Sequence, residues 1–278
     1  MNKIDLFGGT GFIGSYFKEM YDSEVLVHPR NNIYPLTNDV LYMISTTDNY
    51  NVFTNLFIDV DTNLVHLLRV LDCYKNDESL RKNSVFNFVS SWFVYGKLKD
   101  LPAKETSPCN PKGFYSITKK CAEDLIISFC ETYHLKYRIF RLCNVYGKYD
   151  KDVSKKKNAL QYLIGQIKNN EEIKLYHNGD FIRDYMSVTD VCKAIKLCME
   201  KSECNQIINV GSGKPQNFRE AIDFVIKETG SSSNIVSIEP PEFHKIVQVK
   251  DMWLDTTKLQ SIGFNPTIEL FDGIKELL

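Results

Sequence analysis

The strongest constraint on the fold lies at the N-terminus, where Lys3-Ile-Asp-Leu-Phe7 runs into Gly8-Gly-Thr-Gly-Phe-Ile-Gly14. The first segment reads as a short buried strand, and the stretch through Met20 reads as a helix. Glycines at 8, 11 and 14 give the spacing G-x-x-G-x-x-G. One permits the tight strand-to-helix turn, the next lets backbone approach a pyrophosphate, and the last lets helix and strand pack closely. The start of the helix then offers free N–H groups and a positive dipole end to phosphate. A glycine loop alone is only a turn. A strand before it and a helix after it make it a dinucleotide-binding unit.

The rest of the chain alternates strand-like and helix-like segments, the pattern of a parallel sheet covered by helices on both faces. Glu24-Val-Leu-Val-His28 is the expected second strand, and only about ten residues separate it from the next, Val40 to Ser45. Asp61 to Leu71 has apolar residues at helical spacing, with Asp61 or Thr62 as its cap. Val85-Phe-Asn-Phe-Val-Ser-Ser91 is an apolar strand ending in two hydroxyls, where open parallel sheets bind ligands, although serines there also cap turns. A long helix is expected over Tyr115 to Tyr133, followed by a strand over Tyr137 to Leu142. That helix carries Tyr115 and Lys119 one turn apart on one face. An ammonium beside a phenol favours phenolate, and a Tyr tuned so can exchange a proton with a hydroxyl or carbonyl near neutral pH.

Together these motifs resemble the extended short-chain dehydrogenase/reductases, in particular the nucleotide-sugar epimerase/dehydratase family. The resemblance runs through Asp39-Val-Leu-Tyr-Met-Ile-Ser45, Arg141-Leu-Cys-Asn-Val-Tyr-Gly147 and Phe181-Ile-Arg-Asp-Tyr-Met-Ser-Val-Thr-Asp-Val191 to Asp255-Thr-Thr-Lys-Leu and Gly263-Phe-Asn-Pro266. It implies a Rossmann-type doubly wound parallel sheet over 1–147 with 185–212. A smaller C-terminal α/β substrate-binding domain would take 148–184 with 213–278. The short stretch after His28 implies that one strand–helix excursion of the family is trimmed. Ser91, three residues before Val94-Tyr-Gly96, matches the catalytic Ser/Thr, with Ser90 as the neighbour able to substitute. Tyr115 would be the acid/base, and Lys119 would hold the nicotinamide ribose and lower the phenol's pKa. Cofactor contacts are implied at Gly8, Thr10, Gly11, Phe12, Ile13 and Gly14, at His28 and Arg30, at Ile44, Ser45 and Thr46, and at Asn63, Tyr115 and Lys119. Asn144 and Arg183 match residues that contact the substrate diphosphate. Ser91, Trp92 and Phe93 would line the sugar pocket.

Two departures from the family narrow the expectation. Its 4,6-dehydratases place an Asp-Glu pair directly after the catalytic Thr, and here those positions are Trp92 and Phe93, which cannot transfer protons in that role. The acidic residue that usually ends the second strand and binds the adenosine ribose is replaced by His28, followed by Pro29 and Arg30. Arg30 can pair with a 2′-phosphate, which favours NADP over NAD. As a loop cation it would leave NAD in place. The resemblance thus implies hydride transfer at C4 of a nucleotide-diphosphate sugar in polysaccharide biosynthesis. A 4-ketoreductase stands ahead of a 4-epimerase, and both stand ahead of a non-catalytic dinucleotide-binding regulator.

Composition bounds the partners. With 34 basic and 35 acidic residues the net charge is −1, so no basic excess calls for nucleic acid. Lys155-Lys-Lys157 is short and reads as a solvated loop. No run reaches membrane-spanning length, and Met1 to Phe7 lacks the apolar core of a signal peptide. Eight scattered cysteines form no C-x-x-C pair, and five histidines form no ligand cluster. A cytoplasmic protein without disulfides or metal is expected. Family members commonly pair through two helices per subunit, so a homodimer is expected through the helix from about Asp61 and the one carrying Tyr115.

Overall fold

The structure, a computed structural model, describes residues 3–150 and 158–278. The Lys155–Lys157 run lies outside the described residues. The chain begins with β1 (Ile4–Phe7), α1 (Phe12–Met20), β2 (Val25–His28) and β3 (Asp39–Tyr42). It continues through α2 (Ile58–Val60), α3 (His66–Asn76), α4 (Glu78–Asn83), β4 (Val85–Ser91), α5 (Phe114–Tyr133), β5 (Lys136–Leu142) and β6 (Asn144–Tyr146). Then come α6 (Ala159–Lys168), β7 (Ile173–Tyr176), β8 (Ile182–Arg183), β9 (Tyr185–Ser187), α7 (Val188–Lys201) and β10 (Gln206–Val210). The C-terminal part adds β11 (Gln216–Asn217), α8 (Phe218–Thr229), β12 (Ile235–Ile238), α9 (Glu242–Val247), α10 (Thr257–Ser261) and α11 (Leu270–Leu277).

Six strands form one parallel sheet in the order β10-β5-β4-β3-β1-β2. Successive strand residues face opposite sides, so Leu6 and Leu41 join Phe17 of α1 and Val191 and Ile195 of α7 in one core. Phe7 and Tyr42 join Leu67 and Val70 of α3 and Ala122 and Ile126 of α5 in the other. Burial on both faces explains why these strands read as continuous apolar runs. The chain leaves β1 to one side for β2 and returns on the other side as β3. The crevice at the carboxyl ends of β1 and β3 is therefore the topological switch point, where such sheets bind ligands. Outside the sheet, Leu163 and Ile164 of α6, Phe218 and Ile222 of α8, Ile173 of β7 and Ile274 of α11 form a third apolar cluster.

The trimmed excursion is visible: residues 29–38 contain no helix or strand. A buried carboxylate organises the shortcut. Asp5 accepts from the amides of Leu36 (2.6 Å) and Thr37 (2.7 Å), and its other oxygen meets His28 Nε2 at 2.7 Å. Local packing corrects two expected boundaries. β3 ends at Tyr42, not Ser45. The helix expected from Asp61 begins at Ile58, and Asp61 and Thr62 are not caps but part of a π turn, Asp61–Val65, between α2 and α3. The buried Asp59 accounts for the earlier start, because it accepts from Thr46 and Asn51 and anchors the preceding turn.

Candidate active site

The glycine loop is shaped by close approach. Gly8 has φ +93°, and a Cβ there would sit 3.0 Å from Ile44 N. A Cβ on Gly14 would lie 2.2 Å from Gly8 O, so α1 packs against the loop as only glycine allows. Gly11 caps α1 without any side-chain hydrogen bond. The first amides of α1, at Phe12, Ile13 and Gly14, therefore meet no side-chain cap and suit a phosphate. Thr10 is exposed at the turn. These residues fit a dinucleotide pyrophosphate.

Beyond β3, Ile44, Ser45 and Thr46 line the other side of the crevice. Asn63 fixes them: its Oδ1 accepts from Thr46 N (2.8 Å) and Ser45 Oγ (3.0 Å). Its Nδ2 donates to Thr46 Oγ1 (2.9 Å) and Thr118 Oγ1 (2.8 Å). This buried carboxamide is fully used, and it ties β3 to α5. At the end of β2 the structure differs from expectation for His28. Its imidazole is turned inward, paired with Asp5 and stacked on Phe7 at 4.3 Å, not presented to a ribose. Arg30 is exposed and pairs with no acid among the described residues, while its carbonyl lies 3.2 Å from His66 Nε2.

Ser91, Tyr115 and Lys119 converge where β4 meets the start of α5. Tyr115 is buried, which pushes its phenol up to about 12; a hydrogen bond with Ser91 works against that rise, and the charge of Asp59 adds to it. Lys119, one turn along the same helix face, reaches β4. Its Nζ donates to Val89 O at 2.5 Å and lies 4.2 Å from the centre of the Phe88 ring. Burial lowers its pKa to about 7, opposed by Glu123 one turn further along α5. Ser90 is committed elsewhere. It donates to Glu123 Oε1 at 2.6 Å, and Arg141 grips the same carboxylate through Nε (3.0 Å) and Nη2 (2.7 Å).

On the substrate side, Trp92 is buried and stacks on Phe93 at 3.9 Å. Phe93, half-buried, meets the Tyr115 ring edge-on at 6.1 Å. Asn144 is also half-buried, and its Nδ2 and backbone N both donate to Asp184 O, each at 3.0 Å. Arg183 departs from the expected free phosphate ligand. Its guanidinium donates to the carbonyls of Ile182 (2.8 Å), Lys250 (2.5 Å) and Val249 (2.7 Å), and it lies against the Trp92 and Phe181 rings. Burial lowers its pKa. In this arrangement it staples β8 to the segment before Met252.

The profile of the NAD dependent epimerase/dehydratase family matches residues 40–211, well over half of the chain. The chain belongs to that family. It is an enzyme of the extended short-chain dehydrogenase type. It is 28% identical to a putative UDP-glucose 4-epimerase of Methanocaldococcus jannaschii, over 98% of this chain and 95% of that one. Other curated relatives match over little more than half of their own length, 58% and 55% in two cases. Among solved structures, the UDP-glucose 4-epimerase of Thermotoga maritima with UDP-glucose aligns with a TM-score of 0.85 at 24% identity, covering 98% of this chain and 96% of that one. The protein RMD of Pseudomonas aeruginosa with NADPH aligns with 0.86 at 20% identity, covering 100% and 98%. No helix among the described residues is long and apolar enough to cross a membrane.

Several residues at this family member's site escape sequence reasoning. Glu123 continues the Tyr115–Lys119 spacing by another four residues, a signal that was available. Asp5 is a lone acid inside an apolar strand, which marks a buried partner waiting elsewhere in the chain. Asp59 and Asn49 carry no such pattern, since their partners lie in other segments.

Proposed function

We propose that this enzyme acts by hydride transfer at C4 of a nucleotide-diphosphate sugar, with a 4-ketoreductase as the favoured reaction. The observation that carries this is Phe93. It follows Ser91 by two positions and meets Tyr115 edge-on, and with Trp92 it holds the places where the family's 4,6-dehydratases have carboxylates. Neither aromatic side chain can serve as the acid or base that elimination of water needs at those two positions. What remains at the site is one proton donor, Tyr115, and one hydroxyl, Ser91, suited to a single carbonyl oxygen. Ser91 orients that oxygen, and Tyr115 delivers the proton that turns it into a hydroxyl. Burial holds the phenol protonated before the reaction, as a proton donor requires. A reduced nicotinamide, when bound, would supply the hydride.

The glycine loop, Thr10, the first turn of α1, Ile44, Ser45 and Thr46 would hold that cofactor. Asn63 would act by fixing the strand end. The exposed Arg30, and a β2 that ends without an available carboxylate, favour NADP. The part built on the third apolar cluster, 148–184 with 213–278, is the proposed substrate-binding domain, with Asn144 as a diphosphate contact. Arg183 would join it through the Nε and Nη2 hydrogens that its three carbonyl partners leave over. Val65 and Leu68 beside Ile117 of α5 are exposed and apolar, which supports a C2 homodimer through these helices.

A second reading, a 4-epimerase, is favoured by the M. jannaschii relative, which matches across nearly the whole of both chains. An epimerase would use the same Tyr115 but return its cofactor unchanged in every cycle. A panel of UDP-, GDP-, CDP- and dTDP-linked 4-keto-6-deoxy sugars separates the two. Net loss of NADPH absorbance with one of them supports the reductase. Interconversion of an ordinary nucleotide hexose at C4 without cofactor loss supports the epimerase and removes the reductase.

A further inference from the structure

The short turn Asn49–Phe53 touches two distant parts of the molecule. On one side it meets the N-terminus of α5, whose second residue is Tyr115. Gly113 caps α5 in an extended conformation and has no side chain to offer the helix amides. Asn49 fills that place from another segment. It is 7% exposed, its Oδ1 accepts from Ser116 N at 3.4 Å, and it lies 2.0 Å from where a Cβ on Gly113 would stand. On the other side the next residue, Tyr50, meets α9 of the C-terminal part. Tyr50 OH lies 2.9 Å from His244 Nδ1, and the Phe243 ring sits 5.1 Å from Tyr50 and 4.7 Å from Phe53. Asp48 Oδ1 accepts from Tyr50 N at 2.7 Å and caps the turn between the two.

We propose that Asn49 is a positioning residue: it caps the catalytic helix in trans and, through Tyr50, makes the placement of Tyr115 depend on the docking of α9. Helix ends fray unless their free amides are satisfied. The first turn of α5 carries the proton donor, and a shift of about 1 Å there is costly to rate. A cap supplied from the turn that also holds α9 links order in that first turn to closure of the C-terminal part. The proposal rests on Tyr115 acting at the sugar oxygen. Its structural half stands independently of that role.

The test moves the cap from trans to cis. Asn49→Gly removes the carboxamide, and Gly113→Ser supplies a hydroxyl at a position whose extended backbone serine adopts readily. Gly113→Ser alone places its Cβ against Asn49 and should disturb the turn, whereas the double variant has both room and a cap. Hydrogen exchange of the whole chain, without ligand, reads the peptide spanning 113–118. Exchange should rise in Asn49→Gly and in Gly113→Ser and return to the wild-type rate in the double variant. Tyr50→Phe should raise it in the wild-type background only. Turnover is followed by NADPH oxidation with the dTDP-linked 4-keto-6-deoxyhexose. Asn49→Gly should lower kcat about 3- to 30-fold, the range a lost cap spans, with KM unchanged, and the double variant should recover it. Unchanged exchange in Asn49→Gly, or a Gly113→Ser protein indistinguishable from wild type, overturns the proposal. If the wild type ignores that sugar, the functional proposal is in question, and the exchange results alone decide this one.

Discussion

Lys119→Met should stabilise the cofactor-free protein at neutral pH and lose that advantage as pH rises. Burial lowers the folded pKa of Lys119 from 10.5 to about 7, against the opposing charge of Glu123. The unfolded lysine keeps its ordinary value. Between the two values the unfolded chain binds more protons than the folded one, so stability rises with pH across that window. At 1.36 kcal/mol per unit, the buried group costs about 4 kcal/mol near pH 7 and about 1 kcal/mol near pH 9.5. Methionine cannot titrate and fills similar space, so it removes this dependence. It also loses the bond to Val89 O, which offsets roughly 1–3 kcal/mol of the gain. The change in the variant's advantage between the two pH values is therefore the cleaner quantity, at about 3 kcal/mol. Urea titrations of both proteins at the two pH values measure it. Other titrating groups cancel in the difference. Stability curves that run parallel across the window would show that Lys119 is not held at a lowered pKa, and would refute the reasoning.

Two further predictions follow from exposed residues. NADPH should bind more tightly than NADH, and Arg30→Ala should narrow the gap by about 1.5–3 kcal/mol, the contribution of a charged phosphate contact; calorimetric titrations that give equal affinities before mutation contradict the NADP assignment. Light scattering at micromolar concentration should report a dimer that becomes monomer in the Leu68→Glu/Ile117→Glu variant, since both apolar side chains are 43–45% exposed on neighbouring helices; a monomeric wild type removes the proposed interface.

The sheet was legible because its strands are buried on both faces and so announce themselves as apolar runs. The glycine loop was legible because close approach of backbone to Ile44 and to α1 requires glycine at fixed spacing. Spacing put Tyr115 and Lys119 on one helix face and two serines at a strand end, and the family resemblance chose Ser91 over Ser90. What spacing does not carry is the partner each side chain chooses. Lys119 and Tyr115 share a helix face that packs on β4, and the bond from Lys119 to the Val89 carbonyl is one that spacing does not announce. Arg183 sits in a matching motif, yet the segment ending at Val249 and Lys250 folds back and takes part of its guanidinium. His28 was an end-of-strand residue in sequence and a partner of Asp5 in the fold. Each of these outcomes depends on a contact between distant segments, which local pattern does not encode. The early start at Ile58 has the same origin, because Asp59 answers to Thr46 and Asn51.

The central claim is that Tyr115 delivers the proton when a sugar carbonyl is reduced. Single-turnover mixing of enzyme and NADPH with a 4-keto-6-deoxy sugar nucleotide, in wild type and Tyr115→Phe, tests it most directly. The substitution removes one hydroxyl and leaves the ring against Phe93, so fold and cofactor binding should persist. The rate of NADPH loss should fall roughly 10²–10⁴-fold, the range for losing a general acid. A variant that consumes NADPH at the wild-type rate would contradict the claim.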